Sequence, residues 1–264
     1  MLKKLLKMAL GGAGYEIKRK PPLRLATFRN LDDECAHMIG IIRENTMVAP
    51  EGLVTLYHQA LFCETQQIPG DFVECGVWKG GAVGLMALVN LQHGSKRRNI
   101  HLFDSFQEIC EPDETIDGER AVREARMGSK NGGTKGSLVP LEGFYDRRGG
   151  PGKIEDNKAL LEGEIGYDPN YLHYHQGWFQ EVLPGVRNSI ERIALLRIDA
   201  DWYASTKTCL DHLFDKVVSG GFVIIDDYGA YDGCKKAVDE FVNGCGKPLY
   251  LNYVNEDIRY IVVP

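Results

Sequence analysis

The sequence predicts an α/β fold: a doubly wound, mostly parallel seven-stranded sheet with an N-terminal helical cap. Three observations predict it. Short apolar runs alternate with segments of helical period from about residue 71 to residue 242. Runs of this kind end in a carboxylate at Asp104, Asp199 and Asp226. A glycine-rich turn, Gly76 to Gly81, joins the first run to the helix that follows.

The chain opens with an apolar stretch, Met1 to Leu10, broken by Lys7 and too short to span a bilayer. Residues 1–29 read as an arm, and 30–264 as one domain with a cap (30–66) and a lid-like insert (107–153). In the cap, Leu31, Cys35, Met38 and Ile42 share one helical face; Leu53, Leu56, Tyr57, Ala60 and Leu61 share another. Asp71 to Cys75 is the first strand, Ala82 to Leu91 a helix, and Asn99 to Asp104 the second strand. Residues 107–153 are rich in glycine and charge, the composition of an irregular segment that covers a site. Strands follow at Tyr171 to His175 and Ile193 to Asp199, a helix at Ser205 to Val218, and a strand at Gly221 to Asp226. A helix at Asp232 to Val242 leads to a closing pair, Leu249 to Val254 and Ile258 to Val263. With no helix between them, the last strand is expected to be antiparallel.

Composition narrows the function. A net charge of −6 argues against broad nucleic-acid binding. The seven cysteines form no C-x-x-C pair and are odd in number, which fits a reduced, cytoplasmic protein rather than a disulfide framework or a zinc site. No segment suits stable membrane insertion.

Two adjacent strand tips would bring Asp199, Asp201, Asp226 and Asp227 into one small volume. Like charges at short range repel, so the cluster needs a partner. A hard divalent cation, Mg²⁺, Mn²⁺ or Ca²⁺, suits all-oxygen ligands. The plain alternative is that acids end strands because loops are solvated. Asp199 and Asp201 share a side if the strand continues, so one could bind metal and the other take a proton; spacing does not say which.

The turn Glu74 to Gly81 is not G-x-G-x-x-G, because Trp78 stands at the second glycine position. It suits a nucleoside ligand without a phosphate. Asp104, at the next strand tip, could accept both ribose hydroxyls or merely cap a turn. His173 and His175 read as sheet histidines, Trp178 and Trp202 as packing residues, and Ser205 or Thr206 as a helix cap.

Four segments together, Glu74 to Gly81, Leu102 to Phe106, Arg197 to Thr206 and Ile224 to Tyr228, resemble the macrocin O-methyltransferase family. Thr46-Met47-Val48 also looks like that family, and the resemblance runs from about residue 40 to the C-terminus. It implies the class I methyltransferase sheet, S-adenosylmethionine, Mg²⁺ (or Mn²⁺) and a hydroxylated small-molecule acceptor, a sugar in the antibiotic-tailoring members. It implies metal ligation by Asp199, Asp226 and Asp227, with Asp201 as general base and Asp199 beside it in the chemistry. It puts the cofactor along Glu74, Gly76, Val77, Trp78, Gly80, Gly81, Asp104 and Ser105, with Thr46 and Met47 near the sulfonium and Gln176, Gly177 and Trp178 near the adenine. The insert is longer than the lid of the sugar-modifying members. A catechol-like diol is the alternative acceptor. A non-catalytic S-adenosylmethionine-binding module and a metal-dependent hydrolase are the alternatives from other classes. A homo-oligomer docked through the cap is a further expectation.

Overall fold

The structure, a computed structural model, describes residues 33–264. The N-terminal arm and the first residues of the cap, Leu31 included, lie outside the described residues. The cap comprises helices α1 (Asp33–Ile42) and α2 (Pro50–Thr65). Proline at the start of α2 costs no hydrogen bond, since that N–H has no partner in the helix. Helix α1 buries Cys35, Met38, Ile39 and Ile42; α2 buries Leu53, Leu56, Tyr57, Ala60 and Cys63, while Leu61 sits half-buried beside that stripe.

The strands are β1 (Asp71–Cys75), β2 (Ile100–Asp104), β3 (Leu172–Gln176), β4 (Ile193–Ile198), β5 (Val217–Ile225), β6 (Asn252–Tyr253) and β7 (Arg259–Val262). Their order across the sheet is β3-β2-β1-β4-β5-β7-β6. Strands β1 to β5 are parallel, and β7 is antiparallel to both its neighbours, as the helix-free C-terminal pair predicts. The chain winds outward from β1 in one direction and from β4 in the other. The crevice between β1 and β4 is therefore the switch point where such sheets bind ligands. Helices α3 (Gly81–His93), α4 (Gly118–Gly128), α5 (Ile154–Lys158), α6 (Phe179–Val186), α7 (Tyr203–Leu213) and α8 (Asp232–Gly244) complete the domain. Under the tips of β1 and β4, Val73, Cys75, Leu196 and Ile198 pack with Cys209, Leu210 and Leu213 of α7 and Val238 of α8. Among the described residues no helix is long and apolar enough to cross a membrane.

Three elements differ from expectation. Helix α7 ends at Leu213; one tight turn follows, and Val217 and Val218 open β5 instead, because Val217 pairs with Ile193 of β4. The insert holds α4, whose apolar stripe is only Ala121 and Ala125 among charged residues, too thin to show in the sequence. Helix α6 carries Pro184 inside it, a residue that argues against a helix.

His173 and His175 do lie in the sheet, with His101 of β2 between them and Asp71. His101 Nδ1 is 3.0 Å from His175 Nε2, its Nε2 is 3.2 Å from Asp71 Oδ2, and His173 Nε2 is 3.0 Å from Asn99 Oδ1. Burial, then the charges of His101 and His173, push His175 down from 6.5 to about 4. The unfolded chain therefore binds that proton first, so stability falls as pH drops from about 6.5 to about 4 and is not affected further below. The urea midpoint of wild type should fall across that window more steeply than that of His175→Phe. Equal slopes would remove His175 as the cause.

Candidate active site

The site is built where β1 and β4 touch. Gly76 follows β1 with φ +86°, and a Cβ there would lie 1.8 Å from the carbonyl oxygen of Asp199. Glycine is thus required by backbone contact as well as by dihedral angle. Asp199 N donates to Cys75 O at 2.8 Å, which fixes the two strand tips side by side.

Beneath the tips lies Arg197, on β4 in register with Glu74 of β1 and so on the same face of the sheet. It is 2% exposed. Its Nη1 contacts Glu74 Oε1 and lies 2.9 Å from Asp199 Oδ2; its Nη2 lies 2.6 Å from Asp226 Oδ1. The clustered acids are expected to take a divalent cation as their partner; inside the protein a guanidinium already partners two of them. The signal was available, since an arginine in the otherwise apolar run of β4 has to find carboxylates.

One guanidinium does not balance the cluster. Glu74, Asp199, Asp201, Asp226 and Asp227 make five carboxylates, and the last four crowd above Arg197. Asp227 Oδ2 accepts the Asp201 backbone N–H at 3.1 Å. Burial pushes Glu74 up to about 7 and Asp226 up to about 6 against the pull of Arg197. Burial and the surrounding acids hold Asp201 and Asp227 well above the usual carboxylate range. Asp199, Asp226 and Asp227 offer oxygens that all lie within 4.8 Å of one another. This hard, all-oxygen set, still negative after Arg197 is counted, fits a divalent cation such as Mg²⁺ or Mn²⁺.

Two cavities flank the acids. The first is lined by Met47, Gly76, Trp78, Asp104, Ser105, Gly177 and Trp178 among the residues expected at a cofactor. The remaining expected cofactor residues do not line it. Glu74 is the buried counter-ion of Arg197. Thr46 Oγ1 accepts the Val48 N–H at 3.1 Å, and a Cβ on Gly81 would lie 2.6 Å from Thr46 Cβ. Val77, Gly80 and Gln176 do not line the cavity either. Asp104 is already engaged: its Oδ2 accepts from Val77 N (2.8 Å) and Trp78 N (3.1 Å), and its Oδ1 from Phe106 N (2.7 Å). It shapes the glycine turn; Oδ2 is filled by two amides, while Oδ1, which accepts one, keeps a lone pair, and the residue lines the cavity. Trp202 is a packing residue, 2% exposed, whose Nε1 donates to Cys110 O at 2.9 Å. Ser205 and Thr206 are buried and do not cap α7; Asp117, from the insert, does so through a 2.7 Å bond from Tyr203 N.

The second cavity lies on the other side of the acids, and its lining includes Asp226, Asp227, Arg120, Arg148 and Tyr231. Four residues line both cavities: Met47, Tyr145, Asp199 and Asp201. Tyr145 and Arg148 come from the insert and carry no sequence signal of their own. The insert and helix α5, which follows it, are fastened to the glycine turn: Trp78 Nε1 donates to Gly150 O (3.2 Å), Lys79 Nζ to Gly149 O (3.1 Å) and Asn157 Nδ2 of α5 to Trp78 O (2.8 Å).

Comparison with known proteins agrees with this architecture. A family profile described as Macrocin-O-methyltransferase (TylF) matches residues 42–129 and 163–258. The 8-demethyl-8-(2,3-dimethoxy-alpha-L-rhamnosyl)-tetracenomycin-C 4'-O-methyltransferase of Streptomyces olivaceus is 34% identical over 197 residues, 75% of this chain and 67% of that protein. The demethyldecarbamoylnovobiocin O-methyltransferase of Streptomyces niveus is 37% identical over 174 residues, 66% of this chain and 58% of that protein. The solved structure of the O-methyltransferase NovP superposes with a TM-score of 0.66 at 30% identity, covering 83% of this chain and 82% of that one.

Proposed function

The chain belongs to the macrocin O-methyltransferase family, and from that premise we propose that it moves the methyl group of S-adenosylmethionine to a sugar hydroxyl with help from a divalent cation. The supporting observation is the meeting of two cavities at Asp199 and Asp201: one suits a nucleoside, the other is open to an acceptor. The sugar comes from the rhamnosyl acceptor in the name of the tetracenomycin relative.

In this reading S-adenosylmethionine occupies the first cavity. Asp104 would use the remaining lone pair of Oδ1 for a ribose hydroxyl, and Gly177 and Trp178 line the same cavity. Asp199, Asp226 and Asp227 hold the cation. A bound divalent cation supplies Lewis acidity, lowering the pKa of a coordinated hydroxyl. Asp201 takes the proton. Its carboxylate lines both cavities, where it can reach a hydroxyl on the acceptor side. Arg197 keeps Asp199 and Asp226 in place from below. Tyr145 and Met47 form the boundary between the cavities and narrow the passage for water.

Calorimetry tests the reading. S-adenosylmethionine should bind wild type with and without Mg²⁺, and Mg²⁺ alone should bind wild type but not Asp227→Asn. Asp227 is the informative ligand, because Asp226 also pairs with Arg197. No adenosyl binding at any Mg²⁺ concentration would overturn the reading; unchanged Mg²⁺ binding in Asp227→Asn would overturn the metal assignment.

A further inference from the structure

The second cavity opens into a groove along α4 and the insert, lined by Arg123, Met127, Phe144, Arg147 and Arg148. Phe144 and Arg148 line both spaces, so the groove continues outward from the acids. Arg123, Arg147 and Arg148 are exposed, and among the described residues none of them pairs with a carboxylate. The guanidinium of Arg148 rests 5.8 Å from the Phe144 ring centre and 6.0 Å from that of Tyr145. Arg148 also looks inward, its charge acting on Asp201 across the second cavity, while two acids beside the groove are held by other partners. Glu124 is held by Arg120 at 3.0 Å and by the Tyr231 hydroxyl at 2.8 Å, and Asp146 by Lys130 at 3.3 Å.

Three guanidinium groups in one groove with no ion pair to a carboxylate among the described residues run against the chain's net charge of −6. Their planar forks suit phosphoryl oxygens. The polarity along the groove is also ordered: carboxylates at the floor for neutral hydroxyls, arginines outside for an anion. Phe144, Arg147 and Arg148 fall in residues 130–162, between the two segments that match the family profile. They belong to a part of the chain free to specify its own acceptor. Resting on the sugar-methylating reading, we propose that the acceptor is a sugar bearing a phosphoryl group, with the sugar over the acids and the phosphoryl group on Arg148, flanked by Arg123 and Arg147.

The source of the phosphoryl group is either a sugar phosphate or a nucleoside-diphosphate sugar, whose base would lie against Phe144 and Met127. Titrations of glucose 1-phosphate, UDP-glucose, glucuronic acid and methyl α-D-glucopyranoside test this. They are run in EDTA at low salt, so that no metal can hold the phosphate, on protein alone and on protein saturated with S-adenosylhomocysteine. Glucose 1-phosphate should bind at least about tenfold more tightly than the methyl glucoside, the size of a charged hydrogen bond to arginine. Arg148→Gln should remove that advantage, and Arg148→Lys should restore only part of it. Both should leave S-adenosylhomocysteine affinity unchanged. UDP-glucose binding more tightly than glucose 1-phosphate identifies the nucleotide-linked source; equal binding identifies the sugar phosphate. Equal binding of phosphorylated and neutral sugars, preference for glucuronic acid, or indifference to Arg148→Gln would overturn the proposal. Failure of S-adenosylhomocysteine to bind would strike the methyltransferase reading instead, and the phosphoryl assignment is then decided by the titrations on protein alone.

Discussion

Asp201→Asn is expected to lower methyl transfer by roughly 10²–10⁴-fold, the range for removing a positioned general base, while leaving the fold intact. The backbone at Asp201 has φ +55°, a left-handed conformation that asparagine adopts more readily than most residues. The amide keeps the side chain's shape and removes one charge from a crowd of carboxylates, so thermal stability should stay level or rise. Transfer of labelled methyl to whichever sugar the wild type turns over, measured beside a melting curve, reads both effects. Wild-type turnover in the variant would remove Asp201 from the chemistry. Lower stability together with lower turnover would make its role structural.

The second large effect is on stability. Arg197→Met should destabilise the protein by about 3–5 kcal/mol, the cost of leaving buried carboxylates without their cation. Lysine should not replace it fully, because one ammonium lacks the fork that reaches Glu74, Asp199 and Asp226 at once. Glu74→Gln in the Arg197→Met background should recover part of the loss, since Glu74 is the acid most deeply buried. Mg²⁺ should recover another part by taking over Asp199 and Asp226. Urea unfolding of the four proteins, with and without Mg²⁺, measures each contribution. A loss below about 1 kcal/mol in Arg197→Met would show that the acids neutralise by binding protons instead.

Much of the frame could be read from the chain because buried parallel strands are nearly pure apolar runs, and β4, buried along its whole length, is the plainest. The acids at its tip and at the tip of β5 were legible for the same reason: charge is conspicuous where everything before it is apolar. Arg197 was legible too, as the single charge in that apolar run, but which carboxylates it meets depends on the neighbouring strands. Residues from the insert were not legible at all. Tyr145, Arg148 and Asp117 reach the site only through tertiary folding, and α4 shows only two small residues to the core. Asp104 lies where its strand predicts, but its oxygens are spent first on the amides of Val77, Trp78 and Phe106, a use that spacing cannot reveal.

The bonds that fasten the insert to Trp78 and Lys79 bear on how the two chambers open. The same stretch that lines the second cavity is hung on the turn that borders the first, through Gly149, Gly150 and Asn157. Outward swing of that stretch breaks three hydrogen bonds to the turn, and a shifted turn carries the stretch with it. The two cavities therefore share one hinge post: a shift of the turn beside the first pulls on the wall of the second.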